Sequence, residues 1–185
     1  MRKSLLRIRG GLLVLVLLMA AAVLMLNLRD EPAIDAPEAG TPQATPAVLE
    51  RGAYLARAGN CAACHTARGG APYAGGPAIV TPFGTVYASN LTPDPTHGIG
   101  RWTAAHFFRA MHNGRSMDGR LRYSAFLCSN YTQITREDAD AIYAYLRSLP
   151  PVEQPNRAHA ALPLQPAGFA RGVAGADLRA AHLPA

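Results

Sequence analysis

The chain has 185 residues, enough for one compact domain with extensions at its ends. Its net charge of +6 is unevenly spread, with Arg2, Lys3, Arg7 and Arg9 at the N-terminus, while ten Arg, no Lys and six Asp or Glu give +4 between residues 48 and 152. The sequence has no basic run interleaved with aromatic residues, which argues against nucleic-acid binding and leaves a modest positive field for an acidic partner protein.

An apolar segment, residues 11–28, follows the basic N-terminus and has Asn27 as its one strongly polar residue. Eighteen helical residues rise about 27 Å, close to the thickness of the hydrocarbon core of a bilayer. The apolar run continues past Ala20–Ala22, a triplet that offers a cleavage site, so residues 1–29 predict a retained signal-anchor and transmembrane helix. The expected location is the bacterial inner membrane with the remaining chain in the periplasm, and a cleaved signal peptide with a soluble periplasmic form is the alternative.

Two segments rich in proline and alanine flank the central part of the chain. Residues 30–47 lack apolar periodicity and predict an extended, solvated linker. Residues 153–185 predict a loosely packed tail that lies on the domain or on a partner, with His159 and His182 at its surface. Residues 48–152, between these segments, are expected to form the folded domain.

The pentad Cys61–His65 has the pattern C-x-x-C-H, which is found nowhere else in the sequence. Two thiols one helical turn apart reach the vinyl groups on one porphyrin edge, and His65 is then held under the iron as its proximal ligand. A thioredoxin-like dithiol would need a βαβ context, and a structural zinc site would need a second ligand pair, whereas the third cysteine, Cys128, stands alone. The pentad therefore predicts one haem c, covalently bound through Cys61 and Cys64.

Three helices are predicted in the domain. Residues 48–58 lead into the pentad and contain Gly52, which either admits a closely packed neighbour or is a tolerated surface glycine. Residues 102–112 follow as a helix with Thr103 as its N-cap, and Thr135 caps the last helix, which ends before residue 150. The last helix carries one apolar face, formed by Ala139, Ile142, Tyr143 and Leu146. Residues 68–100, rich in Gly and Pro, predict loops wrapped around an internal body.

Four collinear motifs cover residues 51–65, 81–94, 98–102 and 136–152. They read R-G-A-Y-L-A-R-A-G-N-C-A-A-C-H, T-P-F-G-T-V-Y-A-S-N-L-T-P-D, G-I-G-R-W and R-E-D-A-D-A-I-Y-A-Y-L-R-S-L-P-P-V. With these motifs the domain resembles a class I cytochrome c, and more closely the small cytochrome c subunits of bacterial periplasmic or membrane-bound dehydrogenases. The resemblance implies an all-α class I cytochrome c fold, in which three main helices surround one covalently bound haem behind the N-terminal transmembrane helix.

The resemblance also assigns residues around the haem. It implies that the first and last helices cross near Gly52. It implies that the Gly76–Pro77 carbonyl accepts the second imidazole N–H of His65, an arrangement that fixes the tautomer and raises the basicity of the ligand. Trp102 matches the family tryptophan that reaches a haem propionate.

The distal side of the iron departs from the family pattern. Members that transfer electrons usually supply a methionine from the loop between the last two helices, where this sequence has Phe126, which cannot ligate iron. The candidates for the sixth ligand are Met111, His112, Met117, Cys128, water or none. Burial beside the haem, without ligation, is the other expectation for Cys128.

The resemblance implies an electron carrier rather than an enzyme. Such a chain accepts electrons from a periplasmic dehydrogenase and passes them through a cytochrome or oxidase towards the respiratory chain. If the distal position is open, the alternative is a small-ligand sensor or a peroxidase-like enzyme, with His106 and His112 as the nearest candidates for a distal acid–base group. A structural subunit that anchors a dehydrogenase is a third hypothesis.

Overall fold

The structure, a computed structural model, describes residues 2–28, 32, 34, 42–81, 84–119 and 131–161. Five helices lie in this part of the chain: α1 (Arg2–Leu28), α2 (Pro46–Ala58), α3 (Cys61–His65), α4 (Ala104–Asn113) and α5 (Arg136–Arg147). It also contains three strands, β1 (Ala78–Thr81), β2 (Gly84–Tyr87) and β3 (Ala160–Ala161). The predicted positions of Phe126, Cys128 and His182 lie outside the described residues.

Local capping sets the ends of the predicted helices. Thr45 caps α2 and Pro46 occupies its first turn, so this helix begins two residues before the predicted start. The predicted caps Thr103 and Thr135 are confirmed, since each hydroxyl accepts a main-chain N–H from the first turn of its helix. Gly114 ends α4 in the left-handed conformation, with a φ of 63°, which glycine adopts without the steric cost of a Cβ.

The helices α2 and α5 pack directly against each other at Gly52. A Cβ added to this buried glycine would lie 2.0 Å from the carbonyl oxygen of Ala141 and 2.8 Å from the Cβ of Tyr145. Only a residue without a side chain permits such an approach. The predicted crossing of the first and last domain helices is therefore confirmed, and the alternative of a tolerated surface glycine is wrong.

One apolar core joins α4, α5 and the connecting segments. It comprises Tyr73, Ile99, Ala104, Phe107, Ile142, Tyr143 and Leu146. The four residues predicted for the apolar face of α5 are all buried, which confirms the helical periodicity. The rings of Phe107 and Tyr143 lie 5.5 Å apart, and the Tyr143 hydroxyl donates a hydrogen bond of 2.6 Å to the Trp102 carbonyl.

The segment predicted as loops contains part of an antiparallel sheet with the strand order β1-β2-β3. β1 pairs with β2 from Ala78–Tyr87 to Thr81–Gly84, and the tail supplies β3 through a Thr85–Ala160 pair. Strands of four residues or fewer are too short to show an alternating pattern among so many Gly and Pro residues. The all-α prediction therefore holds for the helices and missed this small sheet.

The helix α1, 27 residues long, coincides with the segment predicted as a transmembrane anchor. Its described side chains, those of residues 7–23 and of Met25, are exposed. Within the part of the chain that the structure describes, no helix combines the length and the apolarity that a membrane crossing needs, so the predicted transmembrane helix is not confirmed.

Candidate functional site

The pentad forms a short helix of its own, α3, directly after α2. The chain reverses between the two helices at Asn60, whose φ of 53° lies in the left-handed region that asparagine tolerates better than most residues. Cys61 and Cys64 are half-buried and free of any disulfide, and His65 is the last residue of the same helix. The structure thus brings the three predicted haem-binding residues together on one helical segment.

The imidazole of His65 is oriented by a main-chain carbonyl. Its Nδ1 lies 2.7 Å from the carbonyl oxygen of Ser89. Because a carbonyl only accepts, Nδ1 carries the proton and donates, and in the neutral ring the lone pair then lies on Nε2, the nitrogen that can bind a metal. The predicted acceptor was the Gly76–Pro77 carbonyl, but the Pro77 carbonyl accepts the N–H of Ala88 at 3.1 Å, because this pair continues the β1–β2 ladder.

The end of α3 is hydrogen-bonded to residues 73–75, a segment that contacts Ser89. The carbonyl of His65 accepts the N–H of Gly75 at 2.7 Å, and the Thr66 hydroxyl accepts the N–H of Tyr73 at 3.1 Å. Gly75 has a φ of 79°, and a Cβ at this position would lie 2.6 Å from the carbonyl carbon of Ser89. Gly75 thus contacts both Ser89, whose carbonyl accepts from the imidazole, and the main chain of His65 itself.

The thiol of Cys61 lies at the edge of the apolar core. Cys61 packs against the core cluster, and burial raises the pKa of its thiol, so the protonated form is favoured. Tyr131 donates a hydrogen bond of 2.9 Å to the carbonyl of Gly59, immediately before α3. Burial, and then a hydrogen bond with Tyr145, raise the pKa of the nearby Tyr73 to about 12. These neutral, largely apolar surroundings suit a porphyrin edge.

A buried guanidinium lies on α4. Arg109 is buried, and within the described part of the chain its hydrogen bonds go to the main-chain carbonyls of Pro32, Ser116 and Met117. Its Nε is buried without a hydrogen-bond partner in this part of the chain. An anion would stabilise such a buried cation. The donor set of α3, two free thiols and an imidazole, fits a covalently held haem.

The predicted candidates for the sixth ligand are spread along α4 and the turn that follows it. Met111 is partly buried and packs against the core cluster. The ring of His112 stacks on that of Phe108, with a centroid separation of 4.9 Å. Met117 lies in the turn beyond α4, where its carbonyl accepts the Arg109 bond of 2.9 Å. The identity of the sixth ligand stays a prediction.

The other distal candidate, His106, has a structural role in the helix cap. Its Nδ1 lies 2.8 Å from the Thr103 hydroxyl and 3.2 Å from the Thr103 main-chain nitrogen, which completes a capping box. Burial, and then the charge of Arg109, lower the pKa of His106. A ring engaged in this way is poorly placed to act as an acid–base group. The propionate contact predicted for Trp102 stays a prediction, and this residue packs beside the core.

Sequence reasoning missed Ser89, Asn90 and Asn156 as residues of the site. Ser89 acts through its carbonyl, and Asn90, only 2% exposed, binds the chain after α5 through its side chain. Two signals were available in the sequence: Ser89 and Asn90 fall within the motif at residues 81–94, and residues 154–157 resemble those of some members of the family.

Known proteins match most of this domain. The profile of the cytochrome c family matches residues 49–150. Alcohol dehydrogenase (quinone), cytochrome c subunit, of Gluconacetobacter polyoxogenes is 48% identical over 120 residues, which cover 64% of this chain and 26% of the relative. Fructose dehydrogenase cytochrome subunit of Gluconobacter japonicus is 44% identical over 110 residues, covering 58% of this chain and 23% of the relative.

Gluconate 2-dehydrogenase cytochrome c subunit of Pantoea cypripedii is 41% identical over 143 residues, covering 75% of this chain and 32% of the relative. The chain therefore spans about a third or less of the length of these relatives. The family match covers more than half of the chain and includes α3 with the C-x-x-C-H pattern, α4, α5 and most of α2. The chain belongs to the cytochrome c family, which implies covalently bound haem c.

Proposed function

We propose that this chain is a mono-haem electron carrier that accepts electrons from a dehydrogenase and passes them towards the respiratory chain. The observation that carries the proposal is the geometry of α3, which presents two free thiols and a histidine whose Nδ1 donates to a main-chain carbonyl. The relatives named as cytochrome subunits of alcohol, gluconate and fructose dehydrogenases support a dehydrogenase as the electron donor.

Each residue of α3 has a separate task in this proposal. Cys61 and Cys64 hold the haem edge, and His65 binds the iron through Nε2. The Ser89 carbonyl, 2.7 Å from Nδ1, fixes the tautomer and the orientation of the ring. When bound, the haem supplies a one-electron couple between ferrous and ferric iron. The chain transforms no substrate, and its residues set the environment of that couple.

Exposed cations close to α3 support an acidic face on the electron donor or acceptor. Arg57 precedes the pentad and Arg68 follows it, and both side chains are exposed. Opposite charge on a partner speeds the encounter, and salt screens this attraction. Reduction of the haem by the donor dehydrogenase should therefore slow as ionic strength rises, and Arg57→Gln with Arg68→Gln should flatten that dependence.

We further propose that the haem domain functions in the bacterial periplasm. The support comes from the sequence, in which four basic residues precede an apolar run in the manner of an export signal. Fractionation of cells that express the full chain tests this proposal. The haem-stained protein should be found in the periplasmic fraction or in the membrane fraction. Haem-stained protein that stays with the cytoplasmic contents would contradict it.

The proximal site is tested by changing both cysteines of the pentad. The double variant Cys61→Ala, Cys64→Ala should carry no covalent haem on a denaturing gel, whereas the matched control Cys128→Ala should keep one haem per chain. An absorption spectrum with and without carbon monoxide then separates the classes of function. A low-spin spectrum that carbon monoxide leaves unchanged supports a carrier with two protein ligands, and rapid carbon monoxide binding would contradict it.

A further inference from the structure

We propose that the segment 152–161, termed here the C-terminal strap, positions the proximal histidine, and that Asn156 is its principal positioning residue. The strap holds the main chain on both sides of Ser89, whose carbonyl accepts the hydrogen bond from His65 Nδ1. This inference rests on the proposed role of His65 as the iron ligand and assigns a role to a segment outside the helices and the pentad.

The strap binds the residue that directly follows Ser89. The N–H of Asn90 donates to Asn156 Oδ1 at 2.7 Å, and Asn90 Nδ2 donates to the carbonyls of Val152 at 2.8 Å and Gln154 at 3.2 Å. Asn90 is only 2% exposed, so its polar atoms depend on these partners rather than on water. The position of the Ser89–Asn90 peptide is therefore set by the strap.

A second set of contacts holds the chain just before Ser89. The N–H of Tyr87 donates to His159 Nδ1 at 3.2 Å, and the Arg157 guanidinium lies 4.0 Å from the centroid of the Tyr87 ring. β3 then pairs with β2 beyond this point. The strap thus contacts the chain on both sides of Ser89, at Tyr87 before it and at Asn90 after it.

Asn156 also anchors the strap to a third part of the domain. Its Nδ2 donates to the carbonyl of His97 at 2.6 Å while its Oδ1 accepts from Asn90. Gly75 lies against the carbonyl carbon of Ser89, and its main-chain N–H donates to the carbonyl of His65. The Ser89 carbonyl therefore belongs to a segment that is held both by the strap and by the chain after α3.

The consequence for the iron follows from the hydrogen bond at Nδ1. Donation from Nδ1 to a well-placed carbonyl makes Nε2 a stronger donor to the iron and so favours the ferric state. If the strap loosens, this hydrogen bond weakens and the reduction potential rises. Changes at direct partners of a ligating histidine typically alter metal affinity or activity by about tenfold to a hundredfold. Asn156 acts through such a partner, so we expect at most the lower end of this range, and a tenfold change in a one-electron equilibrium is about 59 mV.

The experiment compares Asn156→Ala with Gln154→Ala in the full haem-loaded chain. Gln154 lies on the same strap and accepts the hydrogen bond from Asn90 Nδ2 through its main-chain carbonyl. Gln154→Ala therefore removes a neutral side-chain amide and keeps this hydrogen bond. The reduction potential is measured by spectroelectrochemistry, and exchange of the His65 Nδ1 proton is followed by NMR. Asn156→Ala should raise the potential by up to about 59 mV and speed the exchange, while Gln154→Ala should change neither.

Two results would overturn the proposal. One is an Asn156→Ala protein with unchanged potential and unchanged exchange of the Nδ1 proton. The other is an equal shift in both variants, since that would indicate a general loosening of the tail.

Failure of the proposed function would show elsewhere, in the unaltered protein. That protein would lack covalent haem, or its iron would lack a histidine signal. If the unaltered protein carries covalent haem and its iron shows a histidine signal, but Asn156→Ala has no effect, the proposed role of the strap is rejected and the proposed function is not.

Discussion

Replacing Gly52 with alanine should separate α2 and α5. The added Cβ would lie 2.0 Å from the carbonyl oxygen of Ala141, 2.6 Å from its carbonyl carbon and 2.8 Å from the Cβ of Tyr145. Ordinary van der Waals contacts of a Cβ begin at 3.4 Å, so α2 and α5 must move apart by more than an ångström. Rotation of a side chain cannot relieve the clash, because the nearest atoms belong to the main chain.

The expected loss of stability follows from two opposing effects. Alanine in a helix interior is favoured over glycine by about 1 kcal/mol. Overpacking of a core typically costs about 1–3 kcal/mol, and a clash with main-chain atoms belongs at the upper end of this range. The net decrease in the free energy of unfolding should be about 2 kcal/mol. For a domain of about 100 residues this corresponds to a fall in Tm of roughly 8–16 °C.

Guanidinium denaturation of the haem-loaded protein measures this change, with the fluorescence of Trp102, the one tryptophan of the sequence, as the signal. Ala47→Gly is the matched control, since Ala47 is an exposed residue of α2 and its replacement should lose at most about 1 kcal/mol of helix propensity. A Gly52→Ala protein as stable as the unaltered protein, or more stable, would refute the close contact between α2 and α5.

Three further changes test the local structure. The pKa of Tyr73 rises from 10.0 to about 12 on folding, so the unfolded chain loses its proton first and the free energy of unfolding should fall between pH 10 and pH 12, by up to about 3 kcal/mol. Tyr73→Phe should remove that part of the slope in denaturation curves taken across this range. The pKa of His106 is lowered by burial and by the charge of Arg109, so the unfolded chain takes up the proton first and the free energy of unfolding should fall as pH decreases below 6.5. If the free energy of unfolding of His106→Gln fell equally steeply over this range, it would contradict this reasoning. Thr103→Ala removes the N-cap of α4 and should lose about 1 kcal/mol in the same assay, whereas Thr103→Ser should lose less.

The helices of the domain could be predicted from the sequence because their signals are carried by side chains. Thr103 and Thr135 each supply a hydroxyl that satisfies a main-chain N–H at a helix start, and Gly114 supplies the left-handed residue at a helix end. The apolar face of α5 follows the helical period and is buried as expected. Gly52 was ambiguous from the sequence alone, and the resemblance to a known family resolved it correctly.

The sheet and the strap could not be predicted in this way. The strands β1 and β2 have four residues each, and β3 has two, so no period can be established in them. The strap is held by amide side chains such as Asn156 and by main-chain carbonyls, in a segment whose proline and alanine content resembles that of a solvated tail. The described part of this tail therefore packs on the domain through polar contacts that composition does not reveal.

The proximal site shows where side-chain chemistry stops being informative. Cysteine and histidine are chemically distinctive, so Cys61, Cys64 and His65 could be nominated from their spacing alone. The acceptor that orients His65 is a main-chain carbonyl, a group that every residue carries, so the sequence gives no direct sign of which one is used. The register of the β1–β2 hairpin decides which carbonyl is used. The N–H of Gly76 donates to the Ala88 carbonyl, and the Pro77 carbonyl accepts the N–H of Ala88. The Pro77 carbonyl is therefore engaged in the ladder, and the carbonyl of Ser89 faces the imidazole. A shift of one residue in this register would present a different carbonyl to His65, and the contacts of the strap on either side of Ser89 oppose such a shift.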